Sequence, residues 1–309
     1  MILTVTLNAA IDKRYVVNDF KIDEVNRTSQ CEYAPGGKGL NVSRAATIMG
    51  VKNMATGYVG GHAGDFIAEE IEKQGVTTDF VKVAGESRSC INIFDAVNKT
   101  QTEFLEPGVT ITEDDEKRFL ENYDGLLKKA DVIAVSGSVP KGVGTDFYPI
   151  LVKKAHDAGK KIIVDTSGSL LTEVVKAKPN MIKPNTDEIK MITGKDINSS
   201  ADLIEAGKEL VGSGIEQVVI SLGADGALLF RKEGVFKAVV PKIDAVNTVG
   251  CGDCMTAGFA IAFEKGLSPE ESLRLASATS TAAAMTEATG FFRMEDFDKL
   301  KKEIKIEKL

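Results

Sequence analysis

Residues 247–258, NTVGCGDCMTAG, offer two chemistries in one stretch. Cys251 and Cys254 form a C-x-x-C pair at a helix start, the spacing of a redox dithiol or of half a zinc site. Gly250 and Gly252 flank Cys251 and precede Asp253, which makes a glycine turn with a carboxylate in its mouth. The thiol reading is chemically weak. Asp253 would oppose thiolate formation, a structural zinc needs four ligands, and Cys31, Cys90, His62 and His156 are isolated in the sequence. The two cysteines are therefore expected to pack as small apolar side chains. The glycines leave backbone N–H groups free to converge on an anion, and the apolar run to Gly266 reads as a helix whose N-terminus adds its dipole. A carboxylate placed there is either a helix cap or a base held beside the anion.

Four other loops carry chemistry of the same kind. In APGGKGLNVSR, Gly36, Gly37 and Gly39 permit close backbone approach, Lys38 brings a positive charge and Asn41 an amide. This is not a Walker A loop, because no G-K-[ST] follows, and no G-x-G-x-x-G occurs. Alone, it reads equally as a helix-start turn with a solvated lysine. In MIKPNTDEIKMITG, Asn185 and Glu188 stand at i and i+3, a spacing that serves an ion or a capping box. SLGADGALLF reads as two strands joined by a turn containing Gly223 and Gly226. VSGSVP ends another strand on small polar residues.

These loops need a scaffold that brings them together. From about residue 112, short apolar strands alternate with helical segments, which implies βαβ units and a mostly parallel sheet covered on both faces. Ser268, Pro269 and Glu271 have the pattern of a capped helix start. Two strand-rich segments, about 9–35 and 80–106, break the alternation and are expected to form a small sheet beside the main one, over its ligand edge. Without repeats, low-complexity tracts or linkers, residues 1–309 read as one domain. In such sheets ligands bind beyond the carboxyl ends of the strands, where every loop above falls.

Composition narrows the function. With 309 residues and 43% hydrophobic side chains the chain can bury a large core, and a net charge of −7 makes it a poor nucleic-acid binder. No apolar run reaches the roughly 18–20 residues that span a bilayer. Four cysteines in this length are no disulfide framework. No basic segment precedes the short apolar run at the start, so no signal peptide is expected and the reading is cytoplasmic.

Taken in order, TLNAAID, GGKGLNVSR, VSGSVPKG, IKPNTDE, SLGADG and VGCGD resemble the PfkB, or ribokinase-like, carbohydrate kinases over essentially the whole chain. The resemblance is narrower with the branch of tagatose-6-phosphate kinases and 1-phosphofructokinases, and GESRSCINI and TEFLEPG lean toward the former. It implies a three-layer α/β/α sandwich with a β-sheet lid, a phosphosugar substrate, ATP and Mg²⁺. Asp253 would be the catalytic base, with the N–H groups of Gly250, Cys251 and Gly252 as anion hole. Asp12, Gly37, Lys38, Asn41, Arg88 and Ser138 would bind the sugar phosphate. Lys183, Asn185, Ser221, Gly223 and Gly226 would bind ATP, and Asn185 and Glu188 would organise Mg²⁺ largely through water. Cys251 departs from the usual Ala or Ser and Cys254 from the usual Ser or Thr, and Glu103 stands where related phosphofructokinases carry arginine. The resemblance admits a homodimer. Two other readings make different predictions: a silent sugar-phosphate sensor would bind without releasing ADP, and a dithiol protein would cycle a Cys251–Cys254 disulfide without using ATP.

Overall fold

The structure, a computed structural model, describes residues 1–309. β1 (Ile2–Thr6) opens the main sheet, and the chain then leaves it for β2 (Ala10–Val17) and β3 (Thr28–Gly36). It returns through α1 (Lys38–Ile48), β4 (Asn53–Val59), α2 (Gly61–Lys73) and the short β5 (Thr77–Thr78) and β6 (Val81–Lys82). A second excursion gives β7 (Arg88–Asp95) and β8 (Thr100–Leu105). Regular alternation follows: α3 (Glu113–Leu127), β9 (Val132–Ser136), α4 (Phe147–Asp157), β10 (Lys161–Asp165), α5 (Gly168–Ala177) and β11 (Met181–Ile182). Next come α6 (Thr186–Thr193), α7 (Ser200–Gly212), β12 (Gln217–Ser221), β13 (Ala227–Arg231) and β14 (Gly234–Val239). The chain ends with α8 (Cys251–Lys265), α9 (Pro269–Ala284), α10 (Met294–Glu303) and β15 (Lys305–Lys308).

The main sheet has 11 strands in the order β15-β14-β13-β12-β11-β10-β9-β1-β4-β5, with β6 also on β4. Pairings from β12 to β5 are parallel, and those from β12 to β15 antiparallel. β13 and β14 run antiparallel because short turns, the first of them GADG, return the chain directly with no crossover helix, and β15 adds to β14 only after α10. Central strands are apolar on both faces, as coverage from both sides requires. On β9, Ile133 and Val135 pack with Phe119, Tyr123 and Leu151 of α3 and α4, while Val132 and Ala134 share the opposite core with Ala257, Phe259 and Ala276 of α8 and α9. Three layers result. The capped start at α9 forms as its residues predict: Glu271 N–H donates to Ser268 Oγ at 3.2 Å and Ser268 N–H to Glu271 Oε2 at 3.3 Å, with Pro269 next in the chain.

The small sheet has four strands in the order β3-β2-β7-β8. The segment expected to supply it, 80–106, contributes only from Arg88 onward. Val81 and Lys82 instead pair in parallel with Tyr58 and Val59, extending the edge of the main sheet that β4 leaves open. β2 begins just past the carboxyl end of β1, and β3 runs into the turn before α1, so this sheet stands over the carboxyl edge of the large one.

Candidate active site

The di-glycine turn between β3 and α1 has two separate physical reasons. A Cβ on Gly36 would fall 2.2 Å from Asp12 Cγ, so the missing side chain makes room for a carboxyl group on the neighbouring strand. Gly37 caps α1 at φ 116°, a left-handed backbone that other residues adopt at a cost, and a Cβ there would meet Thr6 Cγ2 at 2.7 Å. Lys38 and Asn41 thereby leave the turn facing the space between the two sheets.

That space is a cavity of about 1120 Å³ lined by Asp12, Gly37, Lys38, Asn41, Arg88 and Ser138, every residue expected on the sugar side. Lys183, Gly250, Gly252 and Asp253 line it as well. The small sheet contributes by strand alternation: Asp12 on β2 pairs with Ala34 on β3 and Cys90 on β7, and all three face the cavity. Arg88 Nε donates to the Asn8 carbonyl at 3.0 Å, and Asn8 Nδ2 donates to Ser138 Oγ at 3.3 Å. Burial raises the Asp12 carboxyl to about 6 against the opposing pull of Arg44 and Arg88. Glu103 faces the same space from β8, accepting from Asn92 Nδ2 at 3.1 Å.

The floor is the start of α8. Gly250, its cap, has φ 81°, and a Cβ there would strike the Gly290 backbone N at 2.8 Å. The backbone N–H groups of Gly250, Gly252 and Asp253 have no protein partner. The N–H of Cys251, also expected as a donor, is instead bonded to the Thr248 carbonyl at 3.4 Å, whereas that of Asp253 is free. Asp253 itself is 5% exposed and accepts from Asn41 Nδ2 at 2.8 Å. Burial first, and then the charge of Asp165, lift its carboxyl to about 7, with the Asn41 bond, Lys38 and Lys183 pulling the other way. Asp165 closes the cluster from the end of β10: Lys183 Nζ lies 3.2 Å from Oδ2 and Lys38 Nζ 3.9 Å from Oδ1. Asp165, Asp253 and Glu188 together raise the Lys38 ammonium.

Asp165 and Arg44 went unassigned in the sequence. The first had a signal, since KKIIVDTSG ends a strand on a carboxylate at the ligand edge. Arg44 follows Asn41 by one helical turn, in the motif already singled out.

The residues expected on the nucleotide side lie outside this cavity, except Lys183. Asn185 and Ser221 meet in a parallel bridge at the ends of β11 and β12. Asn185 and Glu188 form the capping box, each backbone N–H donating to the other side chain at 2.9 Å. That box occupies Glu188 Oε2 and leaves Oε1 without a protein partner, with its charge felt at Lys38. Gly223 sits in a 3₁₀ turn. Gly226 is required by packing, because a Cβ there would fall 2.1 Å from the Ala238 carbonyl oxygen. No three His, Cys, Asp or Glu side chains converge to cage a metal. The donor set fits a hydrated ion that brings most of its ligands with a polyphosphate.

The cysteines pack. Cys254 is fully buried in the α8–α9 core and Cys251 lies against that core, both as free thiols. Burial and the Asp253 charge push the Cys251 thiol up to about 11, so it is no redox nucleophile at neutral pH.

Residues 5–295 match the model of a family described as pfkB family carbohydrate kinase. A candidate phosphofructokinase from Staphylococcus aureus is 35% identical over 100% of this chain and 99% of its own, with a TM-score of 0.88. A possible 1-phosphofructokinase from Thermotoga maritima is 32% identical over 100% and 99% of the two chains, with a TM-score of 0.90. Phosphofructokinase-2 from Escherichia coli, in complex with substrates and products, is 26% identical over 98% of each chain, at a TM-score of 0.91. No helix is long and apolar enough to cross a membrane.

Proposed function

The chain belongs to the pfkB family of carbohydrate kinases, and we propose that it transfers the γ-phosphoryl group of ATP to tagatose 6-phosphate, giving tagatose 1,6-bisphosphate. The observation that carries the transfer reaction is a buried carboxylate poised near neutrality beside three free N–H groups, on the floor of a cavity roofed by sugar-side residues. Asp253 takes the proton from the substrate hydroxyl, and the N–H groups of Gly250, Gly252 and Asp253 face the charge that develops on the moving phosphoryl group. Lys183 adds a cation on the nucleotide side, while Arg88 and Lys38 meet the phosphate that the sugar already carries. A Mg²⁺ bound with ATP would neutralise phosphate charge, and Glu188 and Asn185 would hold it by way of waters.

The choice of tagatose 6-phosphate rests on the GESRSCINI and TEFLEPG segments, which place Arg88 and Glu103 at the cavity. A second reading, a 1-phosphofructokinase acting on fructose 1-phosphate, is favoured by the name of the Thermotoga maritima neighbour. Comparing kcat/KM for tagatose 6-phosphate, fructose 1-phosphate and fructose 6-phosphate in one ADP-release assay decides between them. Tagatose 6-phosphate should lead by about 10-fold or more, the scale on which a pocket resolves one contact; a lead for fructose 1-phosphate selects the other reading. The homodimer admitted by the sequence would use the outer face of the small sheet, where Tyr33 and Phe104 are both about half exposed.

The pH dependence follows from Asp253. The base works ionised, and its carboxyl is raised to about 7, so kcat/KM should climb with pH through about 7 and then level. An acid limb near the ordinary carboxylate value of about 4 would show that the base is not this residue.

A further inference from the structure

We propose that Arg44 is a positioning residue: its guanidinium fixes the Asn41 carboxamide in the one orientation that keeps Nδ2 on Asp253. This rests on the reading of Asp253 as the base. Asn41 stands between two groups of opposite hydrogen-bonding character. On one side Arg44 Nη1 donates to Asn41 Oδ1 at 2.7 Å, and on the other Asn41 Nδ2 donates to Asp253 Oδ2 at 2.8 Å. A guanidinium has only donors, so the amide atom facing it must be oxygen, and the atom facing the carboxylate is then nitrogen. Rotating the amide by half a turn would set N–H against N–H and oxygen against oxygen.

Arg44 is equipped to act as a fixed reference. It is 8% exposed, Nε donates to Gln74 Oε1 at 2.7 Å, Nη2 to the Pro35 carbonyl at 2.8 Å, and Nη1 also to the Thr289 carbonyl at 2.9 Å. The Thr289 bond holds the 289–290 turn over the amide, where a Cβ on Gly290 would sit only 2.8 Å from Asn41 Cβ. Every contact of the fork thus serves one end: α1, the end of α2, the root of the small sheet and this turn are locked around a single carboxamide. Without the fork, a protonated Asp253 could donate to a flipped Oδ1 as readily as an ionised one accepts from Nδ2. The base would lose its preference for the ionised form.

The other groups facing Asp253 are Asp165 from the end of β10, Lys183 after β11, Lys38 on α1 and the thiols of Cys251 and Cys254. None of them touches the Asn41 amide. Arg44→Lys keeps a charge, but its ammonium ends short of the Nη1 position and has no fork to hold it on Asn41 Oδ1, so the variant separates orientation from charge. The acid limb of kcat/KM should move up by about one pH unit, the scale expected for loss of one bond to the charged form. At pH 6 this is about a 10-fold loss, largely recovered at pH 9. In an Asn41→Ala background, where the limb has already moved, Arg44→Lys should add no further shift. A limb left at the wild-type pH, or an equal added shift in the Asn41→Ala background, overturns the proposal. Asp253→Asn is run beside it. If that variant retains activity the base assignment falls, whereas an inactive Asp253→Asn with an unmoved Arg44→Lys limb removes only the role of Arg44. Should Arg44→Lys not fold, the unmodified enzyme still answers. ¹⁵N-labelled asparagine should give one slowly exchanging side-chain amide pair for Asn41, identified by its loss in Asn41→Ala. Two interconverting pairs refute a fixed orientation.

Discussion

Asp253→Asn is expected to lower kcat by at least about 10³-fold while ATP and the sugar phosphate still bind within a few-fold of wild type. The amide keeps the size of the carboxyl and can keep the hydrogen bond to Asn41 through its oxygen, but it cannot take a proton. The three N–H groups at the start of α8 are backbone and remain, so the loss reports proton transfer alone. ADP release measures the rate, and calorimetry on each ligand measures binding. A separate readout excludes misfolding as the cause. Burial raises the wild-type carboxyl in the folded state to about 7, so between its unfolded value, near 4, and that value the folded protein holds the proton more tightly. Wild-type stability contributed by this group is therefore full at low pH and falls as pH rises through about 7. The amide carries no such dependence, so Asp253→Asn should melt higher than wild type at pH 8, with the gap closing toward pH 5. An active, less stable Asp253→Asn would defeat both the mechanism and the burial argument.

The sequence disclosed what a local rule demands and concealed what pairing assembles. A glycine turn ahead of an apolar helix leaves N–H groups unpaired, so Gly250, Cys251 and Gly252 were read as donors to an anion and Asp253 as the base beside them. Gly36 and Gly37 were legible as a close approach, although only the register of β2 with β3 shows that one of them makes room for Asp12. Asn185 and Glu188 satisfied two rules at once, and the capping box formed; any service to an ion must use what the box leaves over. Spacing cannot show that the Cys251 N–H, expected as a donor, has a partner within the turn, the Thr248 carbonyl, next to the left-handed cap at Gly250. Arg44 was hidden most deeply. Its role depends on the Thr289 carbonyl, 245 residues away, and on a lid root whose path is set by the small sheet. Val81 and Lys82 carried an apolar-polar pattern that suits either sheet, and the open edge of β4 settled their place.

Lys183→Met should cost about 10²–10³-fold in kcat, and it should also destabilise the fold for a different reason, which a second substitution can separate. Lys183 is 8% exposed, and its ammonium lies 3.2 Å from Asp165, whose side chain is 4% exposed. Removing one partner of a buried pair leaves a charge without compensation, a loss of about 3 kcal/mol at the low end of the usual range. The low end applies because Lys38 stays 3.9 Å from Asp165 Oδ1 and Thr256 Oγ1 donates to Oδ2 at 3.2 Å. Adding Asp165→Asn removes the stranded charge, so the double variant should recover most of the lost stability in urea unfolding. Its kcat should stay low, since the cation proposed to face the phosphates is still missing. Asp165→Asn alone tests the remaining link. The Asp165 charge is the second cause, after burial, that raises Asp253, so its removal should carry the acid limb of kcat/KM below pH 7. Opposite displacement of that limb in Asp165→Asn and Arg44→Lys would place the base between two opposed influences, one holding its proton on and one drawing it off. If the double variant instead regains activity with stability, Lys183 does no more than neutralise Asp165, and the phosphoryl charge is met by the α8 N–H groups.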